Sequence, residues 1–225
     1  MIKGFVENIR DHGKITFIDV QDRSGILQVV GIGEEFRQLR PQFVVEIEGT
    51  IQKRPENLVN EKLETGSIEI KAEKLEILSK SDELPFDMAK VELDLQLPTL
   101  LDNRALTLRH PKVRAIFQVQ SALAEGFRNA AKNLGCVEIF VPTIVASSTE
   151  GGAEMFKVDY YGHKALLAQS PQLYKQILIP PFERVFTISH AYRAEPSITT
   201  RHLSESTQLD CEFGFVEFEE LLDLL

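Results

Sequence analysis

The sequence has no tryptophan, only two cysteines, and no apolar run long enough to cross a bilayer. Each absence excludes something. Cys136 and Cys211 stand far apart, so they build neither a cysteine-rich zinc site nor a disulfide framework, and a reducing compartment is the simpler reading. The opening MIKGFVENIRDHG carries Lys3, Glu7, Arg10 and Asp11 and lacks the apolar core of a signal peptide, so a cytoplasmic location is expected. The least polar stretches, such as 164–181, are interrupted by Gln, Lys or Pro, and no membrane span is expected. No GKS/T follows a glycine loop, no HExxH occurs among the five histidines, and His202 with scattered Ser and Asp forms no nucleophilic triad.

What remains is an acidic chain of 225 residues with a formal charge of -9, long enough for one or two domains. An acidic total excludes only a generally basic protein, since nucleic-acid contact needs a local positive face. Hydrophobic residues at 43% argue against global disorder.

Residues 1–79 read as short strands, namely GFVENI, KITFIDVQD, GILQVV, FVVEIEGTIQK and SIEIKAEKLEIL, with Gly13, Gly25 and Gly49 as turns. A short helix is predicted at 34–40. This order fits an OB-like barrel, and another small barrel has the same pattern. Residues 80–108 hold two prolines, many acids and no sustained period, and read as a hinge. From 109 the pattern is mixed. Val113, Ile116, Phe117, Val119, Leu123 and Phe127 recur at helical spacing and predict a helix over 112–134, ended by Gly135. VEIFVPTI, KALLAQS and RVFTISHAYRA follow as strand candidates. STQLDCEFGFVEF alternates at Leu209, Cys211, Phe213 and Phe215 and is expected to face a core. The fold class expected is α/β overall: a barrel, then a partial domain of antiparallel sheet and helices. The last residues read as a starting helix, and a domain ending there would lack closing strands.

Several clusters can carry chemistry. HAYRAEPSITTRHLSEST gathers Arg193, Glu195, Arg201, His202 and Glu205. Arginines on either side of a Ser/Thr-rich loop can fork onto different parts of one polyphosphate, and a salt-bridged surface loop has the same composition. In QSPQLYKQ, a helix opened by Pro171 would put Gln172 and Lys175 on one face toward a carboxylate ligand, although polar pairs at this spacing are commonly solvent-facing. TEGGAEMF joins Glu150 and Glu154 through two glycines, which suits either a loop over a cleft or an ordinary turn. In the barrel, Phe17, Gln28 and Glu69 combine an aromatic face with hydrogen-bonding edges suited to an unstacked base. Lys3, Arg10, Lys14 and Arg23 could answer backbone charge. The competing reading makes Phe17 a core residue.

Over nearly its whole length the chain resembles class II aspartyl-tRNA synthetases of the archaeal-like or non-discriminating branch. FIDVQDRSGILQ is similar to the anticodon-barrel signature, LDNRALTLRHP to the hinge, and VEIFVPTI with Pro142 to motif 1. TEGGAEMF and QSPQLYKQ resemble the amino-acid loop and substrate helix, and YRAEPSITTRHLSESTQLDCEF resembles motif 2. The resemblance implies that Phe17, Gln28 and Glu69 read the anticodon. It places Glu150 and Gln172 around the aspartate ammonium, Lys175 on its side-chain carboxylate, and Asp210 in the same pocket. Arg193 matches the catalytic arginine on the ATP α-phosphate, Glu195 the adenine-side carboxylate, and Arg201 with His202 the loop facing the outer phosphates. It implies ATP as substrate, Mg2+, tRNA and L-aspartate as partners, and a homodimer whose boundary lies near the 112–134 helix and Pro142.

Three departures accompany the match. Ser206 stands where many relatives have an aromatic adenine shelf. No motif 3 arginine and no late magnesium carboxylates occur before Leu225, so no metal ligand is assigned and these residues alone are expected to be inactive. Asparaginyl-tRNA synthetase and a non-catalytic tRNA-binding relative are the alternatives. Lys175 favours aspartate over asparagine because an unpaired buried ammonium beside a neutral amide is costly.

Overall fold

The computed structural model describes residues 1–88, 90, 92–148, 154–194 and 202–224. It divides into two compact units, Met1–Val113 and Arg114–Leu225.

In the first unit, β1 (Ile2–Asp11), β2 (Thr16–Gln21), β3 (Ile26–Gly31), β4 (Val44–Lys53) and β5 (Ile68–Ser79) close a barrel in the order β1-β2-β3-β5-β4. Strand alternation fills it. On β2, Thr16, Ile18 and Val20 are buried inside, which turns Phe17 and Asp19 outward. Phe17 is therefore not a core residue. Val6, Val29, Val45, Ile47 and Ile70 complete the interior, and Phe36 of the one-turn helix α1 (Glu34–Arg37) packs against them. That helix is shorter than the 34–40 expected. The pairing of β3 with β5 is parallel, whereas the other barrel pairs are antiparallel.

Gly49 is not a turn. It lies inside β4 beside a register shift, where a Cβ would run into the backbone carbonyl of Lys71 on β5. Only glycine lets the two strands approach this closely.

The stretch expected to be a hinge contains two short helices, α2 (Leu97–Asp102) and α3 (Arg104–Thr107). Thr107 Oγ1 donates to Leu100 O at 3.0 Å, and the buried His110 ring lies 2.9 Å from Lys90 O. Arg109 bonds Gln42 Oε1 at 2.9 Å and covers the Phe5 ring at 4.7 Å. The first two contacts hold the stretch together, and those of Arg109 tie it to the barrel, in keeping with a first unit that runs to Val113.

The long helix α4 (Pro111–Asn133) matches the predicted 112–134 within one residue at each end. Gly135, at φ 80°, ends it: its N–H bonds Lys132 O while that of Cys136 bonds Ala131 O. This pair of bonds satisfies the last carbonyls of the helix. Next come β6 (Val137–Glu138), β7 (Ile144–Val145), β8 (Lys157–Tyr160) and β9 (His163–Leu167). After them lie α5 (Gln172–Phe182), β10 (Arg184–Tyr192), β11 (Glu205–Phe213) and α6 (Phe218–Asp223). The strands form two sheets, β11-β10-β6 and β7-β9-β8. All their pairings are antiparallel except β10 with β6, which is parallel.

The β10/β11 hairpin is two-faced. Phe186, Cys211 and Phe213 pack with Phe127, Ala131 and Cys136 into the core of this unit. The other face carries Thr187 and Ser189 opposite Asp210 and Gln208. The expected core alternation fails at both ends of its run. Leu209 is exposed, and the strand stops at Phe213, after which Phe215 adopts φ 58° at 95% exposure. The chain turns away there because the Gly214 N–H is held by Glu183 O at 2.7 Å.

Candidate functional site

Each unit carries its own site. On the barrel, a cavity of about 620 Å3 opens over Arg10, His12, Phe17, Gln28, Gln52 and Glu69, among others. The structure thus brings Phe17, Gln28 and Glu69 together. His12 meets the Phe17 ring edge-on, with centroids 5.5 Å apart. Gln28 Nε2 donates to Glu69 Oε2 at 2.8 Å, and Gln52 Nε2 donates to Glu69 Oε1 at 2.8 Å. Arg10 forks onto Asp19 with two bonds of 2.9 Å and reaches Gln28 Oε1 at 3.0 Å. Arg10 is therefore fixed by protein acceptors and is not a free backbone counter-charge. Lys3 is likewise paired, with Glu46 at 2.6 Å, and that carboxylate raises its pKa. Buried Arg54 lies 3.8 Å from Glu69. Sequence reading missed Gln52 and Arg54. Gln52 lies on β4 and Arg54 just past its end, and only the strand register sets Gln52 beside Glu69.

In the second unit, α5 starts after Pro171 and packs against β10 and β11. Lys175, one turn in and 7% exposed, points at the polar face of the hairpin. Its Nζ lies 3.4 Å from Asp210 Oδ1 and 3.2 Å from Glu212 Oε2. The ammonium is thus already paired, which removes the unpaired-charge argument against a neutral amide ligand. Glu212 was missed because its strand reads as a core run. Gln172 is half-buried on the same turn, its backbone N–H bonded to Ser170 Oγ at 3.3 Å.

Among the described residues, Ser189 Oγ, Gln208 Oε1 and Asp210 Oδ2 are buried without a hydrogen-bond partner. All three residues occupy the face that meets Lys175. A buried polar atom left unpaired costs roughly 1–3 kcal/mol, so this floor suits a polar ligand. Arg193 follows β10 in the strand phase of Ser189 and Ala191, its backbone N–H held by Ser204 O at 3.0 Å, and its side chain is exposed. His202 is exposed just before β11, and Ser206 lies opposite Ala191. Phe213 turns to the opposite, core face, where it stacks under Arg184, so it does not line the polar floor. Glu150, Glu195 and Arg201 lie outside the described residues.

Burial pushes the Cys211 thiol up to about 11 and also raises Cys136. Neither is a thiolate at neutral pH, so neither supplies a nucleophile. Among the described residues no three of His, Cys, Asp and Glu gather as a metal site. No helix there is long and apolar enough to cross a membrane.

The first unit is a closed five-stranded barrel with a polar pocket on its surface, and the second carries a hairpin with one polar, charged face, an arrangement of folds found in nucleic-acid-handling enzymes. Residues 1–78 match the OB-fold nucleic acid binding domain, and residues 96–225 match the tRNA synthetases of class II (D, K and N). The chain belongs to this synthetase family. It is 40% identical over 220 residues to an aspartate–tRNA(Asp/Asn) ligase of Deinococcus radiodurans, covering 97% of this chain and 48% of that protein. It is also 40% identical over 238 residues to an aspartate–tRNA(Asp) ligase of Pyrococcus furiosus, covering 100% and 52%. The asparaginyl-tRNA synthetase of Pyrococcus horikoshii, solved with asparaginyl-adenylate, superposes with a TM-score of 0.86 at 31% identity, covering 99% of this chain and 51% of that one. The chain spans about half the length of the curated relatives it matches.

Proposed function

We propose that the full-length protein activates L-aspartate with ATP and transfers it to tRNA, with tRNA(Asp) and tRNA(Asn) both within reach of this family. The observation that carries the reading is the 40% identity to aspartate–tRNA ligases along nearly the whole chain, and Lys175 has a donor to spare for the amino acid. An ammonium has three donors, two of which meet Asp210 and Glu212, leaving one for the side-chain carboxylate of the amino acid. Gln172, with Glu150, would hold the α-ammonium, and Asp210 would hold Lys175 in place.

The substrate carboxylate would attack the α-phosphorus of ATP and expel pyrophosphate. Arg193 would stabilise the charge that develops on the phosphoryl oxygens, with Glu195 at the adenine and Arg201 and His202 at the outer phosphates. Preorganised charge supplies the acceleration, with no protein nucleophile. ATP would arrive as its magnesium complex. The described side chains offer no clustered donor set for a resident Mg2+. Phe17, Gln28 and Glu69 would receive the anticodon.

A homodimer fits the surface of α4. Ile116, Val119 and Leu123 form one stripe at 60%, 58% and 62% exposure, which a second copy would cover.

A second reading, asparagine activation, has its own support. Two carboxylates around one ammonium leave a local charge of −1, which does not require an anionic substrate side chain. Pyrophosphate exchange by the full-length parent decides between them. Exchange driven by aspartate is expected; exchange driven by asparagine alone would replace the main reading, and exchange with neither would remove both.

A further inference from the structure

A second cavity of the first unit, of about 510 Å3, shares no lining residue with the one over Phe17. One wall is the barrel, through Glu7 of β1 and residues 40–41 between α1 and β4. That wall is shaped by Gln42, which holds φ 69° while its N–H bonds Val6 O at 2.6 Å. The facing wall is the 81–88 segment that leaves β5. It is pinned at one end by Ser81 Oγ, which donates to Pro41 O at 2.9 Å, and at the other by buried Met88.

The lining divides by chemistry. Leu84, Phe86 and Met88 make an apolar floor, while Glu7, Asp82, Glu83 and Asp87 bring carboxylates. The guanidinium of Arg40 is turned to backbone, its Nη1 donating to Leu39 O at 2.8 Å and to Arg37 O at 3.2 Å. An anion is therefore repelled. A compact metal ion fits no better, because among the described residues no three such ligands converge on one point. A neutral apolar ligand would strip water from the rim charges without pairing them. These groups match a long, flexible cation whose charges are separated by methylene runs. Its ammonium groups can meet carboxylates on both walls while the methylenes cover the floor. The Phe86 ring adds a face that attracts an ammonium, and the volume is that of a small-ligand site.

We propose that this cavity binds a linear aliphatic polyamine, with Glu7, Asp82 and Glu83 pairing its ammonium groups and Leu84 and Phe86 holding its methylenes. The site lies wholly within Met1–Val113 and stands apart from amino-acid activation.

The test is isothermal titration of the 225-residue chain with spermidine, putrescine and butylamine at matched ionic strength. Affinity is expected to rise about fivefold with each added ammonium, the effect of one exposed ion pair. Asp82→Asn with Glu83→Gln is expected to weaken spermidine roughly tenfold. Glu61→Gln with Glu64→Gln, which removes two carboxylates elsewhere on the barrel, is expected to change nothing. All four of these side chains are exposed, so both variants keep the fold. Phe86→Ala is expected to weaken all three amines alike. Equal losses in the two carboxylate variants would mean diffuse attraction to an acidic chain and would overturn the site, as would no spermidine binding at all. Displacement of spermidine by Mg2+ at equal ionic strength, or tighter binding of a tetralysine peptide through Asp82 and Glu83, would also overturn it. So would a full-length parent that binds no spermidine, since a later stretch of the chain would then fill the cavity.

Discussion

Lys175 and Glu212 meet at 3.2 Å, on an interior turn of α5 and on the last residues of β11 respectively, and Asp210 closes on the same ammonium from 3.4 Å. Replacing Lys175 by Met would leave two carboxylates facing each other in a partly buried site. A cost of about 2 kcal/mol is expected, less than for a fully buried pair because both carboxylates retain solvent. Urea unfolding of the 225-residue chain measures it, and a midpoint equal to that of the unaltered chain would mean the cluster is not a coupled unit.

Arg193 lies beyond the end of β10 with its side chain exposed. In the full-length parent, Arg193→Ala is expected to lower adenylate formation roughly a hundredfold, the usual effect of removing one preorganised donor from a developing charge. Binding of tRNA should change little. Pyrophosphate exchange and filter binding report the two quantities separately, and near-normal exchange would take Arg193 out of the phosphate site.

The exposed α4 stripe makes a prediction about assembly. Ile116→Glu together with Leu123→Glu puts two charges where a second copy would pack. Light scattering of the full-length parent should show a dimer, and of the double variant a monomer. An unaltered mass in the variant would place the subunit boundary elsewhere.

Stability at alkaline pH follows from the thiols. Burial, with Cys136 beside it, lifts Cys211 to about 11 from an ordinary value of 9.0. A group whose pKa is raised in the folded state contributes stability that is complete below its unfolded value. That contribution is lost as pH climbs from about 9 to about 11. Cys211→Ala should flatten this part of the stability curve relative to the unaltered chain. Comparing the two isolates the thiol from lysines titrating in the same range, and identical slopes would contradict the assignment.

Much of this architecture can be read from residue order. The spacing of Val113, Ile116 and Phe127 marks α4, and Gly135 marks its end, because helix periodicity and a left-handed stop are local properties. The alternation of TFIDVQ fixes which β2 side chains point inward, although a phenylalanine in such a strand invites the wrong face. The hinge helices escaped notice because four- and six-residue helices are too short to display a period. Gly49 misled for a different reason: its role is set by an approaching strand more than twenty positions away, and glycine in isolation signals a turn.

Sites are harder to read than elements. Lys175 was visible through its distance from Pro171, whereas Glu212 alternates with core residues and reveals itself only once α5 is laid across the hairpin. Gln52 is similar, since its pairing with Glu69 depends on how β4 slips past β5 at the bulge. Motif resemblance supplied the roles of Arg193 and His202, which local physical chemistry would assign equally to a surface loop.

The row from Arg10 to Glu69 draws on all five strands of the barrel, whose order is not the chain order. No hairpin folded in isolation contains it. Pairings so distant in sequence are costly to close early, so a nascent or partly unravelled barrel lacks the row, which is assembled only when the last strand closes.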